Sequence, residues 1–552
     1  MTGGELDIVL SGGRVVDGCG DPWFCADVGV RGSTIAAIAP PATLTGRRVI
    51  DAGGLYVTPG FVDPHTHSDV SIIQYPQADS VVRQGVTTHV TGNCGISAAP
   101  VEAAHRDDLL QDFAHYWDVT GVAWEWRSFA QYLRAIERAG TAINIVPLVG
   151  HGALRLAAMG FAAREPSAAE MAKMVRLLDK SMAAGAHGMS TGLVYPPGCY
   201  ASTAEIVELA RVVARYHGIY TSHIRGERET ICAAVAEAIE VGRAAGVPVQ
   251  VSHNAPKYGA TVDASVTLAM VEEARTRGLD VTVDNDVHTD LAPRLSRALP
   301  QPVLALDHEA LMTLLRNAGE RPSLRRAVEE DVLPGPGYTG LLRHHRFDRI
   351  VILYAPRHPE LRGRSVADIA AQRGSDGFDT FLDLIVEEDD QVVGIFDYIE
   401  ESNIRRLLQH PLVMIASDGL VMPPAGELDD PASYWPCSYG EYPGVLERYV
   451  HDQPVLTIEE AIRKMTSFPA QRFGLHDRGV LRPGLRADIT VFDLERVRDR
   501  ATNLFPHSFP FVNIPHAYPE GIDYVLVNGT PVIDGGEHTG ALPGRVLKHP
   551  RA

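Results

Sequence analysis

Cysteine is scarce in this chain: Cys19, Cys25, Cys94, Cys199, Cys232 and Cys437 are six residues in 552, at irregular spacing. That excludes a disulfide framework and fits a reducing compartment, so a cytoplasmic location is expected. Positive charge is also short. Lys and Arg total 50 against 69 Asp and Glu, a formal net charge of −19. A nucleic-acid partner would call for a basic stripe, and an anionic membrane surface for a basic face, so both are excluded as partners. Long apolar runs are missing too. No stretch approaches the roughly 18 residues that span a bilayer, and Met1–Leu10 has neither the basic region nor the apolar run of a signal peptide. The expected partner is a small-molecule substrate, with the oligomeric state open and a homo-oligomer among the options.

What is present is an α/β pattern. Apolar strands alternate with helical segments through the middle of the chain, at Gly60–His67, Thr87–Cys94, Ala142–His151, Ala186–Gly192, Ile219–Arg225, Pro248–Asn254, Leu279–Asp286 and Leu412–Asp418. Eight strand–helix units predict a TIM-like (β/α)8 barrel. Ser167–Ala184 reads as one of the helices, with Ser167 as cap and Glu170 three residues on. Both ends of the chain instead carry short strands with Gly-rich turns, which predicts a small β-sandwich domain formed from both termini. The expected division is residues 1–58 and 471–552 for that domain, 59–288 and 349–470 for the catalytic barrel, and 289–348 for an insertion between strands 7 and 8.

In such a barrel the C-terminal strand ends share one mouth, where catalysis occurs. The first strand ends in His65 and His67, the second in Cys94, the third in His151, the fifth in His223, the sixth in His253 and the eighth in Asp418. Each alone has an ordinary explanation as a core or turn residue. Metal-type side chains at so many strand ends together predict a metal site. A thiolate with two imidazoles suits zinc and leaves a position open, so Cys94, His223 and His253 form one expected donor set. His65, His67 and Asp418 can hold a second, weaker metal or position a water, and Asp418 is the expected proton acceptor and donor.

These residues sit in Pro59-Gly-Phe-Val-Asp-Pro-His-Thr-His67, Gly85-Val-Thr-Thr-His-Val-Thr-Gly-Asn-Cys-Gly-Ile96, Tyr195-Pro-Pro-Gly198, Ser222-His-Ile-Arg225, Ser252-His253 and Ser417-Asp-Gly419. Together they resemble the amidohydrolase superfamily and, within it, the N-acyl-D-amino-acid deacylases (D-aminoacylases). The resemblance covers almost the whole chain, and Thr-Gly-Asn-Cys-Gly is its most specific part. It implies a zinc-dependent hydrolase of a C–N bond outside peptides, with Zn2+ held tightly at Cys94, His223 and His253 and more weakly at His65, His67 and Asp418, and with Asp418 as acid/base.

The substrate pocket departs from the family pattern. Cys437 stands in Trp435-Pro-Cys437-Ser-Tyr-Gly-Glu-Tyr-Pro443, where the resemblance expects an arginine that grips a carboxylate. A thiol cannot replace a guanidinium fork. The lysine expected two residues after His253 is Ala255, with Lys257 two further on. Candidate substrate contacts are His151, Tyr195, Arg225, Lys257, Asp286 and Cys437, with Arg357 as another cation, and Asp284, Asp286 and Glu441 as acidic groups facing a cationic or hydroxylated substrate. The alternative is the same metal scaffold acting on a cyclic amide or a non-amide bond, lyase-type cleavage included. A non-catalytic relative is a third reading, and retention of all six metal-type residues argues against it.

Overall fold

The computed structural model describes residues 5–114, 121–304, 306–330, 339–422, 436–501 and 518–550. It has an α/β fold. All eight expected central strands form, at Phe61–Asp63, Val86–Thr91, Asn144–Gly150, Gly188–Gly192, Ile219–His223, Val249–Ser252, Val281–Asn285 and Val413–Ile415. Leu148 breaks the third. Its first part pairs with Val86–Thr91 in a three-stranded sheet, and Val149–Gly150 starts a six-stranded sheet running through to Val413–Ile415. Every pairing in both sheets is parallel. Parallel strands are covered on both faces, which explains runs such as Val281–Asn285 with every residue buried. The loops after the last and first strands touch: Asp418 N donates to His65 O at 3.0 Å and His67 N to Gly419 O at 2.8 Å.

The helices follow their caps. Ala168–Ala183 begins at Ser167, whose Oγ accepts from Glu170 N at 3.3 Å while Glu170 Oε2 accepts from Ser167 N at 2.7 Å. This reciprocal pair satisfies two donors that a helix start leaves open. Among the described residues no helix is long and apolar enough to cross a membrane.

Both chain ends meet in a single nine-stranded sheet. Tyr56–Pro59 is its junction, parallel to Leu6–Val15 on one side and antiparallel to Ile489–Phe492 on the other. The hairpin of Ile522–Val527 with Thr530–Asp534 turns at Asn528 and Gly529, both at positive φ, the backbone that a tight hairpin with the right twist requires. A Cβ on Gly529 would lie 2.0 Å from Gly32 O, so only glycine fits there.

Between the seventh and eighth parallel strands lies a separate hydrophobic cluster that includes Leu295, Leu315, Ile350, Phe378, Phe381 and Phe396. Ile350–Tyr354 forms a strand beside this cluster. It pairs antiparallel with Val393–Asp397 and not with the parallel strands. Two helices lie in the same segment, His308–Arg316, capped by Asp307, and Arg321–Glu329. The Pro/Gly-rich stretch 333–338 lies outside the described residues.

Candidate metal centre

The donor atoms of His65, Cys94, His253 and Asp418 all lie within 4.8 Å of one another. His65 Nε2 is 3.1 Å from Cys94 Sγ and 3.4 Å from Asp418 Oδ1, and His253 Nε2 is 3.4 Å from the same sulfur and 3.7 Å from the same oxygen. Tetrahedral zinc with ordinary Zn–S and Zn–N lengths sets its ligand atoms about 3.3–3.6 Å apart. The observed separations match, and one thiolate, two imidazoles and a carboxylate suit that ion. His223 and His67 flank the group. His223 Nδ1 is 3.3 Å from Cys94 Sγ, and His67 Nε2 is 3.0 Å from Asp418 Oδ1.

Six of the seven residues named from the strand ends therefore converge, His151 being the exception, but the compact quartet takes two from each expected donor set. The reason lies in the backbone after the strands. Cys94, His253 and Asp418 all adopt left-handed conformations, with φ of 52°, 55° and 54°. That region is uncommon for residues other than glycine and raises their backbone energy. The Cys94 turn aims Sγ between His65 and His253, so the sulfur joins the two expected sets.

The electrostatics suit cation binding. Burial alone would raise the Cys94 thiol, yet His65, His223 and His253 hold it well below its ordinary value, favouring thiolate. Asp418 is held at about 2 against its desolvation cost by His253, His67 and His65.

A second tier orients the imidazoles. Asp284 Oδ1 is 3.1 Å from His65 Nδ1, and its Oδ2 accepts from Ser252 Oγ at 2.8 Å and from Gln250 Nε2. A proton on Nδ1 leaves the Nε2 lone pair facing the sulfur and Asp418. Asp284 is 1 % exposed. It therefore does not face the substrate, which corrects one expectation. Asp284→Asn should weaken zinc binding about 10–100-fold, the usual cost of losing such a partner. Chelator competition measures this, and unchanged affinity would refute the role. Asp63 Oδ1 accepts from His65 N and Ser417 N, both at 3.2 Å, joining the first and last strand ends. Glu227 Oε1 lies 3.4 Å from His223 Nε2 and 3.8 Å from Lys257 Nζ. Burial opposes its charge, but Lys257 and His223 bring its carboxyl down to about 2. The sequence signal for Glu227 was its place four residues after His223.

The other candidates scatter. Tyr195 lines the centre: its hydroxyl donates to Cys94 O at 3.0 Å and its ring meets His223 edge-on. Lys257 is 5 % exposed, with its ammonium 5.0 Å from the Tyr398 ring centre. Arg225 is engaged by Glu237 and by the carbonyls of Cys199 and Ala201. Arg357 pairs with Asp389 and Glu387 O in the segment between the seventh and eighth parallel strands. His151 is fully buried: its Nε2 is 2.8 Å from Glu205 Oε1, and Arg155 grips the same carboxylate at 2.8 and 2.6 Å. Glu441 is also buried, 2.6 Å from His288 Nδ1 and accepting from Val287 N at 2.7 Å. It braces the seventh strand end and does not face the substrate, which corrects a second expectation. Cys437 is buried where a cation was expected. Burial, then Glu441, Asp418, Asp286 and Asp63, push its thiol well above its ordinary value, so the charges bearing on it are acidic.

A family model described as "Amidohydrolase family" matches residues 48–323 and 343–533. N-acyl-D-glutamate deacylase of Alcaligenes xylosoxydans xylosoxydans is 36% identical over 99% of this chain and 97% of its own. D-aminoacylase of the same organism is 35% identical over 98% and 97%. The crystal structure of N-acyl-D-glutamate deacylase from Bordetella bronchiseptica superposes with a TM-score of 0.75 at 33% identity, covering 99% of this chain and 100% of that one. That structure is described as complexed with zinc and a phosphonate inhibitor that mimics the reaction's tetrahedral intermediate. These relatives favour C–N hydrolysis over the alternative of another bond.

Proposed function

The chain belongs to the amidohydrolase family and is a metal-dependent hydrolase of non-peptide C–N bonds, and on that premise we propose that it cleaves an N-acyl-D-amino acid or a related acyl amide. The observation that carries this reading is the convergence of His65 Nε2, Cys94 Sγ, His253 Nε2 and Asp418 Oδ1 within 4.8 Å. We assign these four atoms to a tight Zn2+, with His67 and His223 at the flanks able to help hold a second, weaker ion. Zinc bound there supplies Lewis acidity, which polarises an amide carbonyl and makes water acidic enough to attack at neutral pH.

The chain's own residues do the rest. Asp418, deprotonated and a third exposed, accepts the proton of the attacking water and passes it to the leaving nitrogen. The amine so protonated is a far better leaving group than an amide anion. His67, at 3.0 Å, holds the carboxylate in position. Asp284, Asp63 and Glu227 fix the imidazoles and strand ends, so the site need not rearrange as charge develops.

Cys437 bears on the substrate. With Glu441, Asp418, Asp286 and Asp63 bearing on it, and a thiol where the family pattern expects a guanidinium, this wall disfavours a second negative charge. Zinc-loaded enzyme should release amine from N-acyl-D-amino acids with neutral side chains at least about tenfold faster than from N-acyl-D-glutamate or N-acyl-D-aspartate, given the cost of opposing like charges. A kcat/KM panel over D- and L-substrates and their amides measures this. Preference for the acidic substrates would overturn the reading of the wall, and no amide hydrolysis at all would overturn the function.

We further read the eight parallel strands as a (β/α)8-type barrel and the nine-stranded sheet as a β-sandwich domain from both termini. Parallel pairing throughout and the bond from Asp418 N to His65 O support closure. The hydrophobic cluster from Leu295 to Phe396 supports an insertion of 289–397, longer than the 289–348 expected.

A further inference from the structure

The six-stranded sheet has a cavity at the end opposite the metal donors. It encloses about 360 Å3. His187, Ile219, Pro248, Asp280 and Leu412, at the entrances of five adjacent strands, form its floor. Residues of the helix Ser467–Arg472 and His549 of the C-terminal segment cover it. At about 30 Å3 per water, the space equals about a dozen waters.

Its electrostatics are one-sided. Arg472 Nη1 lies 2.8 Å from Asp280 Oδ2 and Arg275 Nη1 3.0 Å from Asp280 Oδ1. Asp280 is the only carboxylate among the described lining residues, so two guanidinium groups share one negative charge. Arg472 Nε and Thr282 Oγ1 are buried with no hydrogen-bond partner among the described residues. Buried polar atoms of this kind call for a water or an ion. His187, on the floor, is held between two carbonyl oxygens. Its Nδ1 is 2.9 Å from Phe473 O and its Nε2 is 2.9 Å from Leu547 O. Carbonyl oxygens only accept, so both contacts are hydrogen bonds only when the ring carries both protons. Burial and His549 oppose that charge, pushing His187 to about 4. An anion in the cavity supplies the counter-charge that the surplus guanidinium lacks.

We propose that this cavity binds a small carboxylate with an apolar body. The carboxylate is drawn by the shared arginine pair, with His217 and His549 beside it, while Ile219, Leu412 and Phe468 cover the rest. The apolar walls select against phosphate and chloride, which leave that surface unfilled. The bound molecule lies at one end of the strands whose other ends carry His223, His253, Asp284 and Asp418.

Crystals of the zinc-loaded protein soaked in 4-bromobenzoate test the location, because bromine gives an anomalous signal. Titration calorimetry on the same holoenzyme tests the chemistry. The expected result is a bromine peak in the cavity and saturable binding tighter than for phosphate. Arg472→Gln and the more exposed Arg275→Gln should each weaken it about tenfold, as loss of one charge-assisted hydrogen bond does, with amide hydrolysis unchanged in carboxylate-free buffer. If Arg472→Gln does not fold, Arg275→Gln decides. Bromine only at the metal centre or the surface, wild-type affinity in Arg275→Gln, or equal affinity for phosphate would each overturn the proposal.

Discussion

Asp418→Asn should lower kcat/KM about 10²–10⁴-fold, the range that a positioned general acid–base contributes. The carboxamide keeps the shape of the side chain and one oxygen toward His67 and the quartet. It can neither take a proton from water nor give one to the leaving nitrogen. The change therefore separates two roles that converge on one oxygen, which lies 3.0 Å from His67 Nε2 and 3.4 Å from His65 Nε2. Measured at saturating zinc, with melting temperature and zinc content recorded in parallel, the variant should stay folded and retain metal while turnover collapses. The wild-type carboxyl is held at about 2, so it is ready as a base across the neutral range. A variant keeping more than about a tenth of wild-type kcat/KM would remove Asp418 from proton transfer, since such a loss falls below that range.

The second large effect lies outside the metal centre. Arg155→Met should destabilise the fold by about 3–5 kcal/mol, because it leaves a buried charge without its partner. Arg155 is 0 % exposed, with its Nη1 donating to both Glu205 oxygens, at 2.8 and 2.6 Å, and its Nη2 to Arg164 O at 2.8 Å. Without it, Glu205 keeps only His151. The double variant Arg155→Met, Glu205→Met should recover most of the loss, since apolar replacements of a buried pair are often neutral. Urea denaturation of the singles and the double closes the cycle. A single-variant loss under about 1 kcal/mol would mean that water already reaches the pair, as at exposed ion pairs.

The sequence reading succeeded where local pattern and position coincide. A short apolar run ending in His, Cys or Asp marks both a strand and the mouth that its end faces, so His65, His67, Cys94, His223, His253 and Asp418 were all legible. Their grouping was not. It depends on left-handed backbone at Cys94, His253 and Asp418, which no side-chain periodicity reports. Asp284 and Glu441 were read as substrate-facing acids because an acidic residue after a strand is usually wet. Their burial is set by His65, 219 positions from Asp284, and by Val287, 154 positions from Glu441. His151 likewise looked like a mouth residue until Glu205 and Arg155 claimed it. Val393–Asp397 was not grouped with the insertion because its place shows only in its pairing with Ile350–Tyr354.

The junction strand Tyr56–Pro59 carries a consequence for the protein's biogenesis. All four of its residues are buried, and it runs directly into the strand that presents His65 and His67. One edge is covered early by Leu6–Val15, while the other waits for Ile489–Phe492, about 430 residues later. At ribosomal rates of about 5–20 residues per second, that edge stays open for about 20–90 s. During that interval the nascent chain presents an apolar template for strand pairing to its neighbours. Crowded overexpression should therefore send this protein into aggregates made of unfinished chains, and slower initiation or holdase chaperones should rescue yield without altering the stability of the finished enzyme.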